Sequence, residues 1–466
     1  MLLIRRDKTC VILFPALFLF TLPLICRAQE KTAPRPTPAA PLAKAAPAIT
    51  PATQASTLAA AYTDALLPGS AFAGIVPGPD GKFYGVTYDG GTSNKGALYR
   101  FDPVTFSVTT IHSFNGAGDG NTPYGELSFD LANGKLYGTT EGGGPSGVGT
   151  IYAYDGSTLA TLRSDFSGFS APQGSLVKSG GFIYGSLARP NGAVFRMAPD
   201  GSGFTIIHAF SDFSSLPQSL TLGADGMLYG VTIFGGVSCN PANPGLGCGT
   251  VFRLKPVLPG DVNEQFETLY QFQFATSPNR SNYPQGNLIY SVDGLLYGAT
   301  HYNLFRLDPD NPATTFQFIW TTGGGVSLSV IEGADGRLYA ADYGGGTNGA
   351  GQIFSLNKDG TEVSVLHNFS FTTGSKSYGP YGRLYRDAAG TIFGTTEYTN
   401  VTPSPGVVFS FSGISEPPPK LKVSGGDILV GSPGQGIILK SPNGTTCRLL
   451  SIDNAGAMVL TAFGCP

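Results

Sequence analysis

The sequence predicts an all-β fold, a seven-bladed β-propeller closed by its N-terminal strand and followed by a small C-terminal β module. Three observations carry that expectation: a tyrosine–glycine phrase that recurs seven times, an excess of turn formers, and an excess of β-favouring aromatics. Glycine (66) and proline (35) make about a fifth of the 466 residues, and 21 Tyr with 31 Phe stand against one tryptophan, Trp320. That mixture suits many short strands joined by tight turns. Length alone would divide the chain into about three domains, a prior that repeat architectures override.

Taken from the N-terminus, residues 1–28 carry Arg5, Arg6 and Lys8, then an apolar run from Cys10 to Cys26, then Cys26-Arg27-Ala28. Small residues at the two positions a signal peptidase reads make a cleaved signal peptide the expectation. The alternative is a retained anchor, but the run is shorter than the ~20 residues a spanning helix wants and Pro15 and Pro23 interrupt it. A secreted, extracellular or cell-surface location follows, with the periplasm as a variant, and no membrane span after cleavage. Removing the leader changes the formal charge from −3 to −6 and leaves no Lys/Arg cluster. Nucleic acid is therefore excluded as a partner, because it requires a basic surface to displace counterions. Residues 29–55 are rich in Pro and Ala without apolar periodicity, an extended linker.

The repeat occupies residues 56–413. Its phrase reads KFYGVT, KLYGTT, FIYGSL, MLYGVT, LLYGAT, RLYAAD and TIFGTT, marked by Tyr84, Tyr137, Tyr184, Tyr229, Tyr297, Tyr339 and Phe393. Tyr84 and Phe393 are six steps apart, a mean of 51.5 residues, the length of a four-stranded blade. In the second copy, residues 124–130, 135–140, 150–155 and 160–166 read as the four strands. Asp-Gly precedes the second strand in four copies, which predicts a two-residue hairpin with positive φ angles. The third strand is marked by GALYRF, GAVFRM, GTVFRL and GQIFSL; the fourth ends in His112-Ser-Phe114, His208-Ala-Phe210 or His367-Asn-Phe369. The seventh copy supplies three strands before Pro417-Pro418-Pro419, whereas residues 56–64 resemble a fourth strand. They are expected to pair with residues 407–411 and close the ring, which leaves few exposed edges.

These phrases resemble the bacterial GloVer (Gloeobacter/Verrucomicrobia-type) tandem repeat, found in exported proteins whose C-terminal anchors vary. The resemblance covers residues 56–413 and implies secretion or surface attachment; the family has no established activity, so it transfers no functional residues. The pattern is also similar to streptogramin-lyase-like propellers and kelch blades, whose recurrent tryptophans this chain lacks.

Residues 414–419 form a Pro-rich linker, and 420–466 depart from the repeat: GDILVGS, GIILKS, CRLLSI and AMVLTAF are short apolar strands between Pro/Asn/Gly turns. The module reads as a cap or spacer, with attachment or self-association as its alternative role. Four cysteines follow the leader: Cys239, Cys248, Cys447 and Cys465. Three pairings are open, and proximity favours Cys239–Cys248 and Cys447–Cys465 as structural disulfides of an exported protein. About 47 residues are marginal for independent folding, and the second bond would help. No histidine lies near either pair, and the spacings match no metal motif.

His112, His208 and His367 fill one repeat slot and are read as blade packing. No Ser/His/Asp arrangement, zinc-ligand helix or phosphate loop stands out, so no catalytic residue, metal or cofactor is assigned. Asp308-Pro-Asp310-Asn311 has too few ligands for a Ca²⁺ loop and reads as a solvated turn. The slot just beyond the second strand varies instead: Tyr88, Glu141, Ala188, Ile233, His301, Tyr343 and Glu397. It opens around the channel mouth, where loops on a rigid scaffold carry recognition. Tyr88, Glu141, His301, Tyr343 and Glu397 are the candidate ligand-binding residues, since rings beside carboxylates suit sugars. The function read from this is a non-catalytic recognition or scaffold propeller for carbohydrate or another surface ligand. A lyase or hydrolase working in the channel is the second reading, with His301, Glu141 or Glu397 in acid–base roles. A monomeric propeller is expected.

Overall fold

The computed structural model describes residues 61–211, 215–237, 247–256, 265–273, 283–321, 326–370, 377–399 and 405–412, with the backbone of three further strands, Gly436–Lys440, Cys447–Ile452 and Met458–Phe463. The expected leader, the linker at 29–55 and residues 414–419 lie outside them.

Seven antiparallel sheets repeat one plan and form a seven-bladed β-propeller, as the sequence predicts. In the first blade the strands run Val76–Pro77, Phe83–Thr87, Ala97–Asp102 and Ser107–Ser113 in spatial order; in the second, Ser128–Asp130, Lys135–Thr140, Thr150–Tyr154 and Leu159–Arg163. First strands of neighbouring blades lie against one another, for example Pro284–Tyr290 against Val326–Glu332. They therefore line the axis, and the more exposed fourth strands form the rim. In the seventh sheet Ala61–Leu66 runs antiparallel to Val407–Ser412, with Tyr62 opposite Phe411 and Leu66 opposite Val407. Residues 56–60 of the expected pairing segment lie outside the described residues.

Each letter of the recurring phrase has a packing role. The glycine faces an aromatic on the third strand: Gly85 opposite Tyr99, Gly138 opposite Tyr152, Gly185 opposite Phe195, Gly230 opposite Phe252 and Gly298 opposite Phe305. A Cβ at any of these would collide with that ring, so the absent side chain is what lets the ring lie over the backbone. The tyrosine hydroxyl donates to the aspartate four residues earlier, Tyr84 to Asp80 (3.0 Å), Tyr229 to Asp225 (2.6 Å), Tyr297 to Asp293 (2.8 Å) and Tyr339 to Asp335 (2.7 Å). A buried phenol is thereby satisfied by the turn that precedes it. The closing threonine accepts the first amide of the third strand, from Ala97 to Thr87 (3.2 Å), Thr150 to Thr140 (3.0 Å) and Thr250 to Thr232 (3.1 Å).

The Asp-Gly turn differs from expectation. Only the glycines, Gly81, Gly226, Gly294 and Gly336, have positive φ; the aspartates do not. Gly226 donates to the Gly223 carbonyl and Gly223 to that of Met227, giving a three-residue loop that ends in a left-handed glycine instead of a two-residue hairpin. The aspartate is needed for its carboxylate, which also accepts the amide two residues on.

The rim histidines pack as read. His208 stacks on Phe266 at 3.8 Å, His367 on Tyr62 at 4.7 Å, and His112 hydrogen-bonds Asp119 at 2.8 Å. Asp308 accepts from the Asp310 amide and the Asn311 side chain, which makes that stretch a turn. Cys248 is fully buried. Cys239 and Cys465 lie outside the described residues, and Cys447 opens a strand described by its backbone. The strands Gly436–Lys440, Cys447–Ile452 and Met458–Phe463 form an antiparallel meander.

Candidate functional site

Blade junctions position the site. The glycine that opens a third strand has φ of 93° to 102° in five blades, and the first proline of the next blade packs on it: Gly96 with Pro123, Gly149 with Pro172, Gly192 with Pro217, Gly249 with Pro284 and Gly351 with Pro380. A Cβ there would strike the proline, and the φ disfavours one independently. Each proline thus fixes the residue after it at the rim of the axis. Those residues are Tyr124, Gln173, Gln218, Gln285 and Tyr381, with Phe72 in the equivalent place of blade one, where Ala71 replaces proline.

Rings from blades seven, one and two meet there. Phe72 stacks on Tyr124 (5.5 Å, 19°) and meets Tyr381 edge-on (5.1 Å, 89°), and the Tyr124 and Tyr381 hydroxyls are 3.1 Å apart. Two of the sequence-derived candidates join this patch. Tyr88 packs edge-on to Phe72 (5.1 Å) and Tyr124 (6.3 Å), and Tyr343 edge-on to Tyr381 (5.8 Å). All five rings are half-buried. Tyr343 donates its hydroxyl to Glu397 Oε2 at 2.8 Å, and Glu397 is itself buried. Burial pushes the Tyr124 and Tyr381 phenols above their ordinary range, and the charge of Glu397 adds to the shift. They therefore stay protonated hydrogen-bonding groups at neutral pH.

Glu141 lies to one side, its Oε1 accepting from Gln173 Nε2 at 2.9 Å. Glu141 and Tyr88 line one open cleft of about 340 Å³ with Thr122, Ser170 and Arg189. His301 is exposed in the two-residue turn after Leu296–Thr300 of blade five and packs edge-on against Tyr302 at 4.6 Å. Four of the five candidates thus fall in blades one, two, six and seven around the phenol patch. Both carboxylates already accept hydrogen bonds.

Two residues deeper along the first strands stand Gly74, Glu126, Ser175, Asn287 and Arg383, with Ser219 before Leu220 in blade four, where the segment is one residue shorter. Glu126 Oε2 of blade two lies 3.6 Å from Arg383 Nη1 of blade seven, and Asn287 of blade five hydrogen-bonds the same carboxylate. Residues from such distant blades meet only at the axis. Burial raises the Glu126 pKa, and Arg383 opposes that shift.

Sequence reasoning missed Phe72, Tyr124 and Tyr381. Their signal was the recurring Pro-Tyr/Gln-Gly (Pro123-Tyr124-Gly125, Pro172-Gln173-Gly174, Pro284-Gln285-Gly286, Pro380-Tyr381-Gly382), whose variable middle letter marks the mouth. Among the described residues no group of three or more His, Cys, Asp or Glu could hold a metal ion, and no helix is long and apolar enough to cross a membrane.

Residues 48–242 and 247–416 match the family model described as the Gloeobacter/Verrucomicrobia repeat. No protein of curated function matches the chain. Among solved structures, the extracellular domain of BT4673 from B. thetaiotaomicron is similar at TM-score 0.53 and 12% identity, over 86% of this chain and 47% of that one. The extracellular domain of BT3049 from the same organism is similar at TM-score 0.48 and 13% identity, over 87% and 48%. The chain spans about half the length of each.

Proposed function

The chain belongs to the Gloeobacter/Verrucomicrobia repeat family, and from that premise we propose that it is an exported, non-catalytic recognition propeller that binds carbohydrate at the axial mouth. The observation that carries this reading is the mouth's two-sided lining. Phe72, Tyr124, Tyr381, Tyr88 and Tyr343 supply ring faces and phenol tips on one sector, and Gln173, Gln218 and Gln285 occupy the same slot on the other. Rings cover the apolar face of a sugar while amides and phenols exchange hydrogen bonds with its hydroxyls. Recognition is favoured over turnover by the partners that Glu141 and Glu397 already have.

The domain order is proposed as signal 1–28, linker 29–55, propeller 56–413, linker 414–419 and module 420–466, with a secreted or cell-surface location. Pairing of Ala61–Leu66 with Val407–Ser412 supports ring closure by the N-terminal strand. The amide of Gly406 donates to Gly69 and that of Leu67 to Gly406, as at a blade junction. Buried, disulfide-bonded Cys248 supports a structural bond to Cys239. The C-terminal module is proposed as a cap or spacer.

The mature chain, from residue 29, should be applied to a panel of glycans and assayed for both binding and turnover. Binding without turnover is expected. Turnover lost in Glu141→Gln or His301→Ala would overturn the non-catalytic reading, and absence of glycan binding would overturn the carbohydrate one.

A further inference from the structure

We infer that the site is extended: it takes an oligosaccharide, with one sugar on the axial phenol patch and the next in the cleft between blades two and three, and with Tyr88 as the hinge between the two subsites. The inference rests on the carbohydrate reading and adds a second subsite to it. Tyr88 is the ring common to both places. It touches Phe72 and Tyr124 at the mouth, and it forms one wall of the cleft that contains Glu141, Thr122, Ser170 and Arg189. A cleft of about 340 Å³ lies at the small end of ligand pockets, room for a single sugar unit and not for a folded partner.

The lining selects the ligand's chemistry. Glu141 is an acceptor, Arg189 a donor, Ser170 can do both, and Thr122, whose hydroxyl donates to the Asn121 carbonyl at 2.7 Å, accepts. One acid and one base leave no net charge to attract an ion, whereas hydroxyls that both donate and accept fit all four. The rim narrows the choice further. Gln173 reaches from the mouth slot of blade three to Glu141 at 2.9 Å, so one hydrogen-bonded pair borders both subsites. A ligand that crosses it presents polar groups along its length, as a glycan chain does and an apolar molecule does not.

The test is a titration of length series, one to six units, of β-1,4-linked glucose, β-1,4-linked N-acetylglucosamine and α-1,4-linked glucose. In a series that binds, affinity is expected to rise at least tenfold between one unit and two and then level off. Tyr88→Ala should return the longer oligomers to the monomer's affinity, and Tyr88→Phe, which keeps the ring, should retain most of the gain; melting temperatures of both report folding. Tyr381→Ala should weaken every length equally. Binding independent of length, or a Tyr88→Ala loss equal for one unit and six, would overturn the second subsite while leaving the mouth intact. Failure of every series to bind would overturn the carbohydrate reading and this extension together.

Discussion

Tyr62 stacks on His367, ring centroids 4.7 Å apart and planes 7° from parallel. Tyr62 belongs to Ala61–Leu66, which pairs with the seventh sheet, and His367 to Ser364–Asn368, the outer strand of the sixth. The Tyr62 ring also meets Phe369 and Phe411, so the first described strand touches two blades at once. Tyr62→Ala is expected to cost about 2 kcal/mol, the order of a truncated, partly buried aromatic. A chain starting at Gly69 should lose far more. Denaturant unfolding of both checks this, and an unchanged melting temperature in the truncation would contradict ring closure by that strand.

The same contact makes stability depend on pH. Burial lowers the His367 pKa from 6.5 to about 4. Between those values the unfolded chain binds a proton that the folded one does not, so stability falls as pH drops from 6.5 to 4 and the effect levels off below. His367→Phe should remove this slope. Melting temperatures at pH 7 and 4.5 are the measurement, and an equal drop in wild type and variant would contradict it.

The glycine of the repeat phrase predicts a steric result. Gly230→Ala places a methyl group in the ring of Phe252, and overpacking of this kind costs about 1–3 kcal/mol. Blade six carries alanine naturally, Ala340 opposite Phe354, so Ala340→Gly should cost under about 1 kcal/mol, chiefly backbone freedom. Equal effects in the two blades, read by chemical denaturation, would show that the glycine is not there for the ring.

Much of the fold was legible because the repeat exposes its constraints seven times. A glycine opposite an aromatic, an aspartate four residues before a tyrosine and a threonine at the strand end are local rules, and local rules recur in sequence. The loop type was not legible because Asp-Gly suits two hairpins; in the three-residue loop the aspartate carboxylate accepts from the tyrosine hydroxyl and from the amide two residues on. The mouth was only half legible. Tyr88, Glu141, Tyr343 and Glu397 stand out in sequence as departures from a repeat slot, but convergence of Phe72, Tyr124 and Tyr381 depends on the ring, which brings residues 257 positions apart into hydrogen-bond reach. His301 looked unusual in sequence for the same reason as the others, yet its short turn holds it beside Tyr302.

The axial pair Glu126–Arg383 should behave as a unit. Arg383→Met leaves a buried carboxylate with only Asn287 to support it and is expected to cost about 1–2 kcal/mol at pH 7, discounted because Arg383 is 41% exposed. Adding Glu126→Gln should recover most of that loss. A double variant no more stable than Arg383→Met would mean that the guanidinium acts by packing alone.

Calorimetric titration of wild type and Tyr381→Ala with the best-bound glycan addresses the mouth itself. At least a tenfold loss of affinity is expected in Tyr381→Ala, with a cooperative melt showing that the variant stays folded, because truncation of this half-buried ring costs about 2 kcal/mol of stability and leaves the blade cores intact. Undiminished affinity in that variant would contradict recognition at the axial mouth.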